Sequence, residues 1–154
     1  FFIPDNPVPV TMQTFGILLV GGLYGPRLTM LSIFSYIIIG IIGVPVFQGH
    51  SGGIDYFFGV TGGYLIGFIF ASVVISVLSN TGLKKGLSIW AMIIGNIFIY
   101  IPALIWLSIY DFGWPENGKL FSQAVYPFLI GDFIKLILAS LSINILWKLS
   151  KKNN

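Results

Sequence analysis

The sequence predicts an all-α membrane protein, a bundle of transmembrane helices, and three observations support this prediction. Of the 154 residues, 56% are hydrophobic and only 8% are charged. The mean hydropathy is +0.93, and soluble domains by comparison carry about 25% charged residues. Long apolar stretches also follow one another along the chain, separated by short polar segments. Too few polar side chains are present to cover a water-exposed surface, so the bilayer is the expected solvent.

Five apolar stretches approach the length of about 20 residues that a helix needs to cross a bilayer. Gly25-Pro26 makes a tight turn after the first stretch, because proline cannot continue the helix before it. A glycine-rich, aromatic loop at residues 48–61 separates the second stretch from the third. We expect one transmembrane domain over residues 1–154. The predicted spans are residues 10–24, 28–46, 62–78, 87–110 and 120–149.

The basic residues predict the orientation of these spans. One side of the membrane receives most of the Lys and Arg residues, and the positive-inside rule places that side in the cytoplasm. The C-terminus is then inside a bacterial cytoplasmic membrane and residue 1 is outside. We therefore expect a further helix upstream and a truncated N-terminus. The inner set is Arg27, Lys84, Lys85, Lys148, Lys151 and Lys152, and the outer set is Lys119, Asp5, Asp55, Asp111 and Glu116.

Several kinds of chemistry find little support in the composition. Cysteine is absent and His50 is the only histidine, so neither a disulfide nor a metal site is expected. His50 adjoins Ser51 without a third orienting group, and the Gly-Gly pairs lack the Lys-Ser/Thr of a phosphate loop. We therefore expect a protein that is not an enzyme and has no catalytic residue, cofactor, metal or nucleic-acid partner.

Small residues recur at four-residue spacing in two stretches, at Gly21 and Gly25 and again at Gly63, Gly67 and Ala71. Such spacing allows helix backbones to approach closely. We interpret it as helix packing within one chain rather than as a dimer interface.

Asp132 and Lys135 are the only charged residues between Lys119 and Lys148, about a dozen residues inside the fifth stretch. A charge deep in a bilayer costs at least about 2.5–3.5 kcal/mol, so such residues face the bundle interior or a wet cavity. At a spacing of three they share a helix face and can meet. One interpretation is a structural ion pair that fixes this helix to its neighbours. The other is an outward-facing cavity that uses the pair to bind a polar or charged solute.

Further polar residues lie on other stretches, at the predicted outer ends of the first and third and at i, i+4 spacing on the fourth. Each alone is typical of a helix–helix hydrogen bond, but together they predict a polar chamber below the glycine-rich loop. Its walls are expected to be mostly apolar, as in small-molecule pockets. The polar set is Thr11, Gln13, Thr14, Tyr64, Asn96 and Tyr100, and the expected wall set is Phe47, Tyr56, Phe57 and Phe58.

An ordered set of motifs resembles the BioY family, the biotin-binding S subunits of energy-coupling factor (ECF) transporters. Residues 7–14 read PVPVTMQT, similar to the family's PVPxTxQT, and residues 127–135 read PFLIGDFIK, similar to its PFxxGDxxK. Between them, in the family's order, lie GPR at residues 25–27, GIIGVPVF at 40–47, SGG at 51–53 and GVTGGYLIGF at 59–68. The motifs cover nearly the whole chain.

The resemblance implies a six-helix subunit that captures biotin from outside. Its implied partners are a transmembrane coupling subunit and two ATP-binding cassette subunits, which hydrolyse ATP. Asp132 and Lys135 match the acidic and basic positions of the last motif, which implies that they bind polar groups of biotin. Asn96 and Tyr64 are carried over as further substrate-binding residues. The family's first helix, expected to dock on the coupling subunit, has no counterpart here, so five of six spans are expected.

Two other functions remain open from the residues alone. An ion-coupled secondary transporter or channel fragment would use Asp132 and Lys135 as a switch and show ion-dependent flux without ATPase subunits. The paired inverted repeat typical of such transporters is not evident. An intramembrane enzyme would need a second catalytic group near His50 or Asp132, and the sequence offers none.

Overall fold

The computed structural model describes residues 6–80 and 88–152. These residues form seven α-helices and one short 3-10 turn, and no β-strand occurs among them. The all-α fold predicted from the apolar stretches is confirmed. The helices are α1 (Gln13–Leu23), α2 (Pro26–Ile41), α3 (Ile54–Phe57), α4 (Gly62–Asn80), α5 (Ser88–Ile109), α6 (Leu120–Ala124) and α7 (Tyr126–Lys152), and the 3-10 turn is Gln48–His50.

Helix length distinguishes two groups of helices. The apolar segments of α4, of α5 and of α6 with α7 have 18, 21 and 27 residues, each long enough to cross a bilayer. Helices α1 and α2 have 11 and 16 residues, or about 16 and 24 Å of helix. Five full spans are therefore not confirmed. The second predicted span ends early because Gly43 adopts a φ of +105°, a conformation that glycine tolerates and a helix does not.

The fifth predicted stretch is two helices rather than one. Helix α6 ends at Ala124 and α7 begins at Tyr126, with Val125 between them at φ −127° and ψ −59°. Pro127 has no N–H to extend the preceding helix, so the chain starts a new one. Asp132 consequently lies about 9 Å into α7. The prediction of one continuous helix was wrong, although Asp132 does lie a dozen residues into the 27-residue apolar segment that α6 and α7 form together.

Glycines bring the backbones of α4 and α5 into contact. A Cβ at Gly63 would lie 2.7 Å from Ala103 Cα, and one at Gly67 would lie 2.9 Å from Ile99 Cα. Both distances are shorter than a van der Waals contact, so only glycine permits this approach. Packing within the chain is thus confirmed for these two glycines. Gly25 has no such neighbour within 4 Å, because it lies in the turn before α2, so its predicted packing role was wrong.

The two ends of the bundle have different connections. At the turn end, residues 24–25 join α1 to α2, and the Ser76 hydroxyl of α4 donates a hydrogen bond to the Tyr24 carbonyl (2.7 Å). At the loop end, residues 42–61 connect α2 to α4 and residues 110–119 connect α5 to α6. The Trp106 indole N–H donates to the Gly59 carbonyl there (3.1 Å). At each end, a side-chain hydrogen bond therefore links two elements that are distant in sequence.

The described charges outside the spans divide as the sequence predicts. Arg27 is the second residue of α2 at the turn end, whereas Asp55, Asp111 and Glu116 belong to the loop end. Lys84 and Lys85 lie outside the described residues, as do the side chains of residues 147–152. The orientation of the chain in the membrane stays a prediction.

Helix α1 lies between the longer helices, in contact with α4, α5 and α7. Its buried face is formed by Ile17, Leu18, Gly21 and Gly22. Because this face turns inward, the polar residues at the N-terminus of α1 are brought towards the first turns of α7.

Candidate ligand-binding site

Asp132 and Lys135 form a buried ion pair on one face of α7. Lys135 Nζ lies 3.2 Å from Asp132 Oδ1, and 8% and 5% of the Lys135 and Asp132 side chains are exposed. The contact predicted from their helical spacing is confirmed. Two charges this deep need each other and further hydrogen bonds, because desolvation otherwise exceeds their attraction.

Helix α5 holds the carboxylate of Asp132 from behind. The Asn96 amide donates a hydrogen bond to Asp132 Oδ2 (3.2 Å), and the Tyr100 hydroxyl donates to the same oxygen. Hydrogen bonds to an ionised acceptor are about twice as strong as neutral ones. The carboxylate therefore has partners on both oxygens, and its orientation is fixed by two helices. The Asn96 Oδ1 atom is buried and has no hydrogen-bond partner among the described residues.

Helix α1 holds the other half of the pair. Lys135 Nζ donates to the Thr14 hydroxyl oxygen at 2.9 Å and to Asp132 at 3.2 Å. An ammonium group has three donors, and the structure gives these two partners among the described residues. One N–H of Lys135 therefore has no partner among the described residues.

The pair lies in the wall of a small, mostly apolar inner cavity between α1, α4, α5 and α7. The inner cavity has a volume of about 50 Å³, which is room for a few water molecules. Asp132 and Lys135 are the charged residues of its wall, next to the hydroxyls of Tyr64 and Tyr100. The apolar part of the wall is formed by Val8, Val10, Leu65, Phe68, Ile99 and Phe128.

A wider outer cavity lies next to the inner one at the loop end. It has a volume of about 490 Å³, within the usual range for small-molecule sites. Lys135, Gln13 and Gln48 line both cavities. Phe47 and Val46 line the outer cavity alone. Lys135 therefore stands where a ligand entering from the loop end would first meet the ion pair.

Gln13 and Tyr64 connect the cavity wall to neighbouring elements. The Gln13 amide donates to the Tyr36 hydroxyl of α2 (2.5 Å) and accepts from the Thr11 hydroxyl (2.9 Å). The Tyr64 hydroxyl donates to the Ala124 carbonyl at the end of α6 (2.7 Å). Tyr64 thus contributes its ring to the wall, while its hydroxyl holds α6 against α4.

The structure brings together all six residues predicted to bind substrate. Five of them, Gln13, Tyr64, Tyr100, Asp132 and Lys135, line the inner cavity. Asn96 does not line it and lies one layer behind, against Asp132. Whether any of the six contacts a ligand stays a prediction.

The loop end also contributes residues that sequence reasoning missed. Gln48 and Thr61 line the inner cavity, and Tyr36 supports Gln13 from α2. Gln48 and Thr61 mark the two ends of the glycine-rich loop, so their polar side chains beside a predicted roof were the available signal. Nothing in the sequence pairs Tyr36 with Gln13, because they are 23 positions apart on different helices.

Only half of the predicted aromatic wall is present. Phe47 lines the outer cavity and Tyr56 the inner one. Burial raises the pKa of the Tyr56 hydroxyl, which therefore acts as a neutral donor. Phe57 and Phe58 line neither cavity, so their predicted role was wrong. Phe58 is 54% exposed and packs on Trp106, with 6.1 Å between ring centroids, because the single turn of α3 directs it outward.

No group of three or more His, Asp or Glu residues that could hold a metal occurs in the described part of the chain. His50 is exposed in the 3-10 turn, with a φ of 57°. It lines neither cavity, and the polar side chains that do line them are those of the ion pair and of threonine, glutamine and tyrosine residues.

Comparison with known proteins gives one consistent result. The BioY family model matches residues 1–152. The probable biotin transporter BioY of Pyrococcus horikoshii is 38% identical over 84% of this chain and 75% of its own length. The biotin transporter BioY of Thermotoga maritima is 34% identical over 90% of this chain and 80% of its own length.

A solved structure matches the fold as well. It is the crystal structure of the S-component for biotin from an ECF-type ABC transporter, with a TM-score of 0.81 and 31% identity. The similarity covers 96% of this chain and 80% of that one. The family match over residues 1–152, the sequence similarity and the shared helix arrangement lead to one conclusion. This chain is a membrane protein that belongs to the BioY family.

Proposed function

We propose that this chain is the substrate-capture subunit of an ECF-type ABC transporter and binds biotin with high affinity for uptake across the membrane. The observation that carries the proposal is the Asp132–Lys135 pair in the wall of a mostly apolar cavity. Biotin matches such a site chemically, because it combines an apolar bicycle with a ureido group and a carboxylate. The family membership and the biotin S-component fold support the same function.

The two charges have different roles in this proposal. Lys135 donates its remaining N–H to an oxygen of biotin, since Thr14 and Asp132 take the other two donors. Asp132 already accepts from Asn96, Tyr100 and Lys135, so it orients Lys135 and offers at most one further lone pair. Asn96 acts through Asp132, and Gln13, Tyr64 and Tyr100 form the wall.

The volumes of the cavities constrain how biotin enters. The inner cavity, about 50 Å³, is too small for a bicyclic ligand, whereas the outer cavity is about 490 Å³. Both volumes and the position of Lys135 favour a ligand that spans the junction of the two cavities. Part of the wall must then move outward, and the loop residues Gln48 and Tyr56 are joined to each other by a long hydrogen bond of 3.4 Å.

The proposal includes partners and an orientation. Biotin is bound and released unchanged, so the protein is not an enzyme, and ATP hydrolysis belongs to two ATP-binding cassette subunits joined through a transmembrane coupling subunit. Arg27 at the turn end and the acidic residues at the loop end favour a cytoplasmic turn end. The cavities then open outward from the cytoplasmic membrane, and the C-terminus is cytoplasmic.

Biotin titration of the purified protein in detergent, followed by calorimetry, tests the proposal. The wild type should bind biotin, and Asp132→Asn and Lys135→Ala should each weaken binding by more than about tenfold, because each removes a charge-assisted contact. Lys119→Ala is the matched control, since the Lys119 side chain is exposed and bonds only Glu116 among the described residues.

Two outcomes would contradict the proposal in different ways. A folded wild type that does not bind biotin contradicts the function itself. If both variants bind biotin as tightly as the wild type, the function is retained and the ion pair has only a structural role. Co-purification with the ATPase subunits tests the partners, whereas ion-driven flux in vesicles without them would favour the secondary-transporter alternative.

A further inference from the structure

The segment GIIGVPVF, residues 40–47, folds back so that its two ends touch. Gly40 is buried in the last turns of α2, and the ring of Phe47 lies directly against it. A Cβ at Gly40 would overlap the Phe47 ring and lie 2.6 Å from its Cε2 atom. The Gly40 carbonyl also accepts hydrogen bonds from the N–H groups of Gly43 (3.1 Å) and Gly53 (2.7 Å). The two ends of this segment are therefore held together at position 40, by the contact with the Phe47 ring and by the hydrogen bonds to the Gly40 carbonyl.

The Phe47 ring in turn holds the aromatic residues around the cavities. It is 4% exposed and stacks on Tyr56, with ring centroids 5.2 Å apart. Its edge meets Tyr36 at 5.6 Å, the residue whose hydroxyl accepts from Gln13. Phe47 lines the outer cavity, Tyr56 lines the inner cavity, and Gln13 lines both. The position of the Phe47 ring thus affects two further wall residues, Tyr56 directly and Gln13 through Tyr36.

Gly40 itself lines neither cavity. The atoms that a side chain at position 40 would meet belong to the far end of the Phe47 side chain rather than to backbone. An added methyl group can therefore be accommodated by moving that ring, without separating α2 from α4. The displaced ring would lose its stacking on Tyr56 and its edge contact with Tyr36. The cavity walls would shift as a result.

We infer that Gly40 is a positioning residue for the ligand site, acting through Phe47 to fix Tyr56 and Gln13 in the walls of the two cavities. This inference rests on the proposed biotin-binding function. It explains why the two ends of the segment are a glycine and a phenylalanine. The absence of a side chain at position 40 makes the space that the ring of Phe47 fills.

A double-mutant cycle on the purified full chain tests the inference. Gly40→Ala should weaken biotin binding by about tenfold or more and speed its dissociation, because overpacking displaces the Phe47 ring. Phe47→Ala should weaken binding to a similar extent. The double variant should bind no more weakly than Phe47→Ala alone, since no ring remains for the new methyl group to displace. Gly16→Ala is the matched control, because a Cβ at that helical glycine meets nothing within 4 Å.

The melting temperature without biotin, measured for every variant, separates positioning from general destabilisation. Phe47→Leu, which keeps an apolar side chain without the ring, replaces Phe47→Ala if that variant does not fold. Wild-type affinity in Gly40→Ala overturns the inference, and so do effects of Gly40→Ala and Phe47→Ala that simply multiply. A wild type that does not bind biotin overturns the proposed function and this inference with it. Loss of affinity in Gly40→Ala that disappears without the Phe47 ring supports the inference.

Discussion

The turn end and the loop end of the bundle both bury polar groups, but in different ways. At the turn end the buried groups are neutral hydroxyls, and Thr29, Ser72 and Ser76 all have 0% exposure. Each donates to a backbone carbonyl, as Ser72 does to Ile69 at 2.9 Å. At the loop end the buried groups include an ion pair, its partners are side chains from two other helices, and a cavity lies beside it.

This difference distinguishes buried polar groups that only hold helices together from buried polar groups that can bind a ligand. A buried hydroxyl that donates to a backbone carbonyl satisfies its donor at little cost, and it offers little to a ligand. A buried charge pair is expensive and contributes little net stability. Its presence beside a cavity, with two of the three Lys135 donors paired among the described residues, supports the proposed ligand site.

The largest effect is expected from removing one charge of the buried ion pair at the loop end. Lys135→Met should lower the free energy of unfolding by about 3–5 kcal/mol, because it leaves the Asp132 carboxylate buried without its counter-charge. Asp132→Asn combined with Lys135→Met should recover much of that loss, since both charges are gone. Thermal unfolding in detergent measures both. Equal losses in the single and double variants would mean that the charge itself is not the cause.

A smaller effect is expected at Tyr100. Tyr100→Phe removes one donor to Asp132 Oδ2 and should weaken biotin binding by about tenfold, since a hydrogen bond to a charged group contributes about 1.5–3 kcal/mol. Tyr126→Phe is the control, because Tyr126 is 61% exposed and lines neither cavity. Titration calorimetry measures both variants. Unchanged affinity in Tyr100→Phe would show that Asn96 alone orients the carboxylate.

At the turn end a hydroxyl deletion should affect stability alone. Ser76→Ala removes the bond to the Tyr24 carbonyl and should cost about 1 kcal/mol of unfolding free energy, with biotin affinity unchanged. Ser142→Ala, which removes an exposed hydroxyl bonded within its own helix, should cost less. Melting temperature and biotin titration of both variants are the measurements. A marked loss of affinity in Ser76→Ala would break the distinction between the two ends.

The smallest effect is expected from the exposed ion pair of the loop end. The Lys119 ammonium lowers the pKa of Glu116 below its usual value of 4.5, so any stabilisation is present above that value and is lost as the pH falls through the lowered pKa. Both side chains are more than half exposed, and water screens such pairs. Glu116→Gln should therefore melt like the wild type at neutral pH. A clear drop in melting temperature would contradict this.

Much of the fold could be predicted because apolar runs mark helices directly. The bounds of α4 agree with the predicted residues 62–78 to within two positions. The break between α6 and α7 was missed, although Pro127 was a readable signal for it. The end of the second span was also predicted too late, because residues 42–47 are apolar for a different reason. They fold back on Gly40 instead of continuing α2.

The ion pair could be predicted because a charged residue in an apolar helix is energetically costly and is easily recognised in the sequence. Asn96 and Tyr100 were predicted to line the same chamber because they share a helix face, whereas their hydrogen bonds to Asp132 were not predicted. The contributions of Gln48, Thr61 and Tyr36 could not be predicted in the same way, because they depend on how a loop closes over the helices. Asn96 was predicted to bind substrate; in the folded chain it lies behind Asp132 and does not line the inner cavity, and its contact with substrate stays a prediction.

The short length of α2 has a consequence for the surrounding lipid. Its 16 residues span about 24 Å, less than the hydrocarbon thickness of about 30 Å, and its outer face presents Leu28, Leu31, Phe34 and Ile38. Lipid chains next to α2 must shorten or tilt to match it, at fractions of a kcal/mol per Å. We therefore expect this subunit to be most stable in bilayers of short-chain lipids, with the deformation confined to one side of the bundle.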